Sequence, residues 1–211
     1  MRVHQQLVRL GVHWIPDYAH RLIEERSEFD CPEYINEIRA FGKAEMLPFE
    51  RILTRARLPE IRRSVKPKTL IYTWLISGID RILHDALTED GWKVGFYTGD
   101  DKSGLEGFLE GDVDVLIGTS AIGTGIDRLQ LVCDQLIVNV MPWTAAEYEQ
   151  LKGRIYRQGQ TSDKVTVIIP TTYADVGGER WSWCDSKWQR VKFKKSLADA
   201  AVDGVVPEGH L

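Results

Sequence analysis

From Thr69 onward, short apolar runs without polar alternation are separated by helical stretches, and this constrains the fold more than any other feature. The runs are TLIYTW, KVGFYT, VDVLIGT, DQLIVNV and KVTVIIP. Strands that are apolar on both sides belong in the middle of a sheet covered on both faces. The segments between them, SGIDRILHDALTEDG, SGLEGFLEG and TAAEYEQLKGRIYR, have helical spacing. Strands alternating with helices imply right-handed crossovers, and hence an open parallel sheet with helices on both faces. Ligands of such sheets gather at the carboxyl ends of the strands. The loops after Thr73, Thr98, Thr119, Val140 and Pro170 are therefore the ones expected to carry a site.

The flanks read differently. Residues 1–67 have a helical pattern throughout, with one helix expected in DYAHRLIEERSEF, another in PEYINEIRAF and a third, interrupted at Pro48 and Pro59, in AEMLPFERILTRARLPEIRR. No strand is expected there. Residues 173–211 read as a loop and then a helix, and the clustered Trp181, Trp183 and Trp188 dock that helix on the core rather than stack on bases. The division expected is thus a helical connector at 1–67, a sheet domain at 68–172 and a docked tail at 173–211.

Two motifs suit polyanion chemistry. In QLKGRIYRQGQ, Gln150, Arg154 and Arg157 recur at i, i+4 and i+7, so a continuous helix places them on one face. Arginine forks bind oxyanions bidentately and stay charged at any cellular pH. Gly153 and Gly159 leave room for another backbone. The plainer reading is a pair of surface arginines. In VLIGTSAIGTGIDRL, a buried strand runs into Gly118, Thr119, Ser120, Gly123, Thr124, Gly125 and Asp127, where small residues let backbone N–H groups reach an anion. A glycine-rich turn alone says little; one directly upstream of the arginine motif says more.

Charge along the 211 residues sharpens this. The net charge of −4 argues against coating nucleic acid by charge alone. Two basic runs stand out nonetheless: Arg51, Arg55, Arg57, Arg62, Arg63, Lys66 and Lys68, then Lys187, Arg190, Lys192, Lys194 and Lys195. Such runs are commonly solvated helix faces. The sequence has no GxxxxGK[ST] and no Asp-Glu dipeptide, so a complete nucleotide-hydrolysing site cannot be assembled from it, and the chain alone should be inactive. Cys31, Cys133 and Cys184 lie far apart in no metal-ligand spacing, no metal site is expected, and the sparse cysteines fit a reducing, cytoplasmic setting. No apolar run approaches the ~20 residues a membrane span needs.

The order TLIYTW, YTGDD, FLEGDVDVLIGTSAIGTGID and QLKGRIYRQGQ resembles the C-terminal RecA-like domain of superfamily-two helicases over residues 68–172. The Arg-x-Gly-Gln ending resembles the Swi/Snf-type duplex-DNA translocases; DEAD-box RNA helicases carry arginine where this chain has Gln160. Tyr156 departs from the histidine of Swi/Snf relatives, and Gly125–Ile126–Asp127 replaces their Gly-Ile-Asn. The resemblance implies an ATP-dependent DNA translocase or helicase whose first RecA-like domain holds most of the ATP and Mg2+. It implies contacts to the backbone of DNA, in duplex form, from Thr73, Trp74, Gly99, Thr119 and Ser120. Gly125, Asp127 and Gly153 would face the nucleotide, and Gln150, Arg154 and Arg157 would meet ATP across the cleft, with Arg157 as arginine finger. Two other readings stay open: a non-catalytic module of the same fold that binds nucleic acid or docks on a partner, and a doubly wound transferase holding a sugar nucleotide.

Overall fold

The structure, a computed structural model, describes residues 21–30, 46–74, 77–176 and 178–203. In chain order these form β1 (Arg21–Asp30), α1 (Met46–Ser64), β2 (Thr69–Thr73), α2 (Ile79–Glu89), β3 (Val94–Tyr97), α3 (Gly104–Glu110), β4 (Val115–Gly118) and α4 (Ala121–Gly125). A 3-10 turn at Leu129–Leu131 then leads to β5 (Gln135–Val140), α5 (Ala145–Ile155), β6 (Lys164–Val176), β7 (Glu179–Trp181) and α6 (Trp183–Asp203). The strand order is β1-β6-β5-β2-β4-β3, with every neighbouring pair on this path parallel and β7 antiparallel on β6. The expected open parallel sheet is present.

The apolar runs of β2, β4, β5 and β6 become central strands because both of their faces are covered, while β3 is an edge strand with alternate residues buried. Leu70, Tyr72, Leu116, Leu136, Val138, Val165 and Val167 join a core with Phe108 of α3 and Tyr148, Leu151 and Ile155 of α5. Ile71, Val115, Ile117, Ile137 and Ile168 join a second core with Ile61 of α1 and Ile79, Leu83 and Leu87 of α2. Successive residues of one strand serve opposite layers, which is why alternation with polar residues is missing.

The N-terminal expectation fails at one element. Residues 21–30 were expected in a helix and form β1, paired with β6 from Arg21↔Lys164 to Asp30↔Tyr173. The charges that give this stretch its helical look find partners only in the folded sheet. Glu24 receives Lys152 Nζ of α5 at 2.6 Å, and Arg26 meets Asp185 of α6 at 2.8 Å. Tertiary pairing overrides local propensity here. The helix expected in PEYINEIRAF lies outside the described residues. Further on, α1 runs unbroken through Pro59, whose ring points outward, and takes Pro48 in its first turn, where the missing N–H has no intrahelical acceptor to lose. β6 likewise continues past Pro170 to Val176.

Helix α3 sits close on β3 because two glycines meet there. A Cβ on Gly104 would lie 2.7 Å from Gly95 Cα, inside any real contact. Gly104→Ala is therefore expected to cost about 2 kcal/mol, the scale of overpacking a filled core, read as a lowered urea midpoint at unchanged slope.

Candidate functional site

Four strand ends build one edge. The Trp74 N–H donates to Val140 O at 3.1 Å, so the chain after β2 stays bound to β5 before turning away. Thr73 is fully buried, and the Trp74 ring lies edge-on to Trp143 with centroids 6.2 Å apart. After β3, Thr98 and Asp101 close a tight turn: the Asp101 N–H donates to Thr98 Oγ1 at 3.0 Å, and Gly99 stands exposed. Two hydrogen bonds from Ser103, side chain first and backbone second, hold the Asp101 carboxyl below its usual range. After β4, the Thr119 N–H donates to Tyr97 O at 3.2 Å and its carbonyl accepts from Ile122 at 2.9 Å. Thr119 is buried by this fold-back while Ser120 is exposed.

Helix α5 opens with an N-cap: Thr144 Oγ1 accepts from the Glu147 N–H at 3.2 Å and its hydroxyl donates to the Glu147 carboxylate at 3.0 Å. It ends at Ile155, with Tyr156 leaving helical geometry at φ −99 and ψ 81. The continuous stripe expected over Gln150, Arg154 and Arg157 is thus broken: the first two are helical and Arg157 lies beyond the end. Gln160 causes the stop. Its side-chain amide donates to Ile155 O at 2.8 Å and Cys133 O at 3.0 Å, and Gly159 supplies the φ of 89 that brings it there. Gly159 is thus used by a turn, and Gly153 faces open space with none of the described residues against it.

The two motifs nevertheless come together. The Arg154 guanidinium donates to Gly123 O and, at 3.2 Å, to Ile126 O. Gln150 Oε1 lies 3.8 Å from where a Cβ on Gly123 would stand. Arg157 Nη1 is 3.4 Å from Asp127 Oδ1, with both side chains substantially exposed at 41% and 83%. Arg154 is consumed in holding the glycine-rich turn, whereas Arg157 pairs, among the described residues, with a solvated carboxylate, a contact worth little. Gly125 is exposed with open space above it.

The first basic run has a structural fate. Arg57 is buried against Glu50 and Asn139, Arg51 donates to Ser77 O at 2.7 Å, and Arg62 pairs with Glu89 and Asp90. Arg63 pairs with Glu60, Lys66 with Asp134, and Lys68 donates to Phe108 O. Two of the three tryptophans dock α6 as expected, Trp188 edge-on to Tyr148 and Trp183 edge-on to Phe49 and Trp143, whereas Trp181 lies on β7 and is 36% exposed.

One feature had no sequence signal. Lys187, 2% exposed, has no hydrogen-bond partner for Nζ among the described residues and points its charge at Trp143, 4.2 Å from the ring centroid, and Trp74, 5.9 Å away. Burial pushes its ammonium down to about 8 from an ordinary 10.5; Glu50, Cys184 and Glu147 oppose that shift and Arg57 adds to it. Below pH 8 the group is charged in both folded and unfolded chains. Between pH 8 and 10.5 it is charged mainly in the unfolded chain, so its penalty is relieved and stability rises with pH. Subtracting the pH profile of Lys187→Met from that of the wild type should leave this rise. A flat difference would contradict it.

Gln160 yields a second prediction. Gln160→Ala strands two buried carbonyls and should cost about 1–3 kcal/mol of stability, measured by urea unfolding.

The sequence matches the helicase conserved C-terminal domain over residues 51–159, just over half of the chain. Its curated relatives include the probable ATP-dependent RNA helicase DDX59 of Homo sapiens, 40% identical over 68 residues, or 32% of this chain and 10% of that protein. They also include the DEAD-box ATP-dependent RNA helicase 41 of Arabidopsis thaliana, 30% identical over 122 residues, or 54% of this chain and 24% of that protein. The chain spans between a tenth and a quarter of these relatives' length. Among solved structures, the C-terminal part of the Fun30 ATPase domain superposes with a TM-score of 0.52 at 16% identity, covering 82% of this chain and 63% of that one. The C-terminal domain of the DEAD-box protein Dbp5 does so with a TM-score of 0.52 at 16% identity, covering 86% and 87%. These likenesses establish a RecA-like fold and nothing finer. Carrying that fold, with its glycine-rich turn and arginine motif joined at one sheet edge, the chain belongs to the helicase conserved C-terminal domain family of superfamily two.

Proposed function

We propose that this chain is the second motor lobe of an ATP-dependent nucleic-acid translocase, working against a first RecA-like lobe that binds ATP and Mg2+. The observation that carries the reading is the division of labour between the two arginines. Arg154 fixes the glycine-rich turn through Gly123 O and Ile126 O, and Arg157 projects from the end of α5 with its guanidinium half exposed beside Asp127. A planar, exposed fork at the ligand edge fits the terminal phosphate of a nucleotide presented by a facing domain. The bound nucleotide would supply the phosphoryl group, and Arg157 would stabilise charge developing on it. Mg2+ would sit mainly on the facing lobe, since among the described residues Asp127 alone pairs with Arg157.

The track would pass over the ends of β2, β3 and β4. Ser120 and Gly99 are exposed there and suit phosphate contacts by side chain and backbone; Thr119 and Thr73 are buried, and Thr119 would act by holding the turn that presents Ser120. Duplex DNA is our first reading of the track, supported by Gln160 at the end of the arginine motif in place of a third arginine. RNA is the second, favoured by the names of the curated relatives and by Gly125–Ile126–Asp127. A reducing, cytoplasmic setting goes with either.

The test is steady-state ATP hydrolysis by this chain joined to its natural upstream sequence, stimulated in turn by duplex DNA, single-stranded DNA and RNA. Preferential stimulation by duplex DNA supports the first reading, and preferential stimulation by RNA replaces it with the second. No stimulation by any of them would leave the non-catalytic binding module of the same fold.

A further inference from the structure

The second basic run, unlike the first, is not neutralised by the fold. Helix α6 buries Cys184, Lys187 and Val191, with Trp188 half-buried beside them, at i, i+3, i+4 and i+7, which fixes its inner face. Past Val191 none of its described side chains is buried. From Lys192 to Asp203 the helix continues for twelve residues, about 18 Å, beyond that contact. A stretch of that length gains little from its own hydrogen bonds in water, so it favours an ordered partner.

Its surface indicates the partner's chemistry. Between Asp185 and Asp199 the sequence has five basic residues and no acid, in a chain whose net charge is −4. Asp185 is already paired with Arg26 at 2.8 Å. Among the described residues, Arg190, Lys192, Lys194 and Lys195 form no ion pair. Arg190 and Lys192 instead lie over the rings of Trp183 and Trp188, 5.8 and 5.1 Å from the centroids, contacts that position a cation yet leave N–H groups for an anion. Among these charges stands Phe193, 40% exposed, on the wall of a cleft of about 470 Å³ shared with Gln189, Arg190, Lys192 and Ser196. Arg190, Phe193 and Lys194 share one helical face. Cations spaced along a helix with an exposed ring between them match a strand of unpaired nucleotides, whose phosphates take the charges and whose base takes the ring. An acidic protein segment would satisfy the charges and give the aromatic ring no comparable role.

We propose that the outer half of α6 is a second nucleic-acid contact, separate from the strand-end edge, that holds an unpaired strand through Arg190, Lys194, Lys195 and Phe193. It rests on the motor reading only in supposing that nucleic acid is at hand; its binding needs neither ATP nor a second lobe.

The test uses the full chain and a fluorescein-labelled 15-nucleotide oligodeoxythymidylate followed by anisotropy. Replacing Arg190, Lys194 and Lys195 together by glutamine should weaken binding at least tenfold and reduce the slope of log K against log salt by about 2, three contacts at ~0.7 each. A control triple with the same charge change, Arg55→Gln, Lys93→Gln and Lys164→Gln, should weaken it less than threefold. Phe193→Ala should lose about tenfold for the oligonucleotide and nothing for inorganic polyphosphate, with unchanged helix content by circular dichroism. Equal losses from the two triples would overturn the site, and a Phe193→Ala effect that is absent or equal for polyphosphate would reduce it to a generic anion surface and overturn the strand assignment. Failure of the motor reading shows instead as absent ATPase stimulation in the longer protein, which this titration does not touch.

Discussion

Arg157→Ala, in the chain joined to its upstream sequence, is expected to lower nucleic-acid-stimulated kcat about 10³-fold, with KM for ATP changing far less. The asymmetry follows from where the side chain sits. Arg157 lies beyond the last residue of α5, and among the described residues its ion-pair partner is the solvated carboxylate of Asp127 at 3.4 Å, so removing it disturbs little packing. What is lost is a planar cation aimed outward, and an arginine supplied across a domain cleft contributes about 10³–10⁵ to phosphoryl transfer. Arg157→Lys should recover only a small part, because a point charge cannot reproduce two parallel N–H contacts. Arg154→Ala should behave differently. Its guanidinium holds Gly123 O and Ile126 O, so its loss loosens the glycine-rich turn and should weaken nucleic-acid stimulation as well as turnover. An Arg157→Ala protein within twofold of the parent would remove the finger assignment, and equivalent profiles for the two variants would remove the division of labour.

How much of this was legible before the structure depends on whether a residue's partners are local. β2, β4 and β5 could be read directly because a strand covered on both faces must be apolar at nearly every position, as in Leu70–Ile71–Tyr72 and Leu116–Ile117. β1 could not: Glu24 and Arg26 form ion pairs with Lys152 and Asp185, well over a hundred residues away, and without those partners the segment looks like an amphipathic helix. The arginine motif was visible as composition and misplaced as geometry. Spacing extends a helix until something stops it, and the stop is Gln160, whose amide returns to Ile155 O. The residue that suggested a subfamily thus has a structural task of its own. The two basic runs looked alike in sequence, and only the fold separates α1, with most of its cations paired internally, from the outer half of α6.

The largest loss of stability is expected from Glu50. Its carboxylate is 1% exposed and Arg57 is 2% exposed, with both terminal nitrogens of Arg57 3.3 Å from Glu50 Oε2. Arg57 also reaches the main chain and side chain of Asn139 and, at 3.0 Å, the Cys184 sulfur, while Glu50 Oε1 accepts from Trp183 Nε1 at 2.9 Å. α1, β5 and α6 are thereby joined through one buried ion pair. Glu50→Ala leaves a guanidinium buried without its counter-charge and a Trp183 N–H without an acceptor, and should cost about 3–5 kcal/mol. Urea unfolding would measure it, and a loss under 1 kcal/mol would mean that water reaches the site and screens the charge. The double replacement Glu50→Leu with Arg57→Met should recover most of the loss, because desolvating two charges consumes much of what their attraction returns. If it recovers the stability while oligonucleotide binding by α6 falls, the pair serves chiefly to fix where the C-terminal helix sits. If neither recovers, the attraction itself exceeds its desolvation cost, and the network is a net stabiliser that ties the first and last described helices to the central sheet.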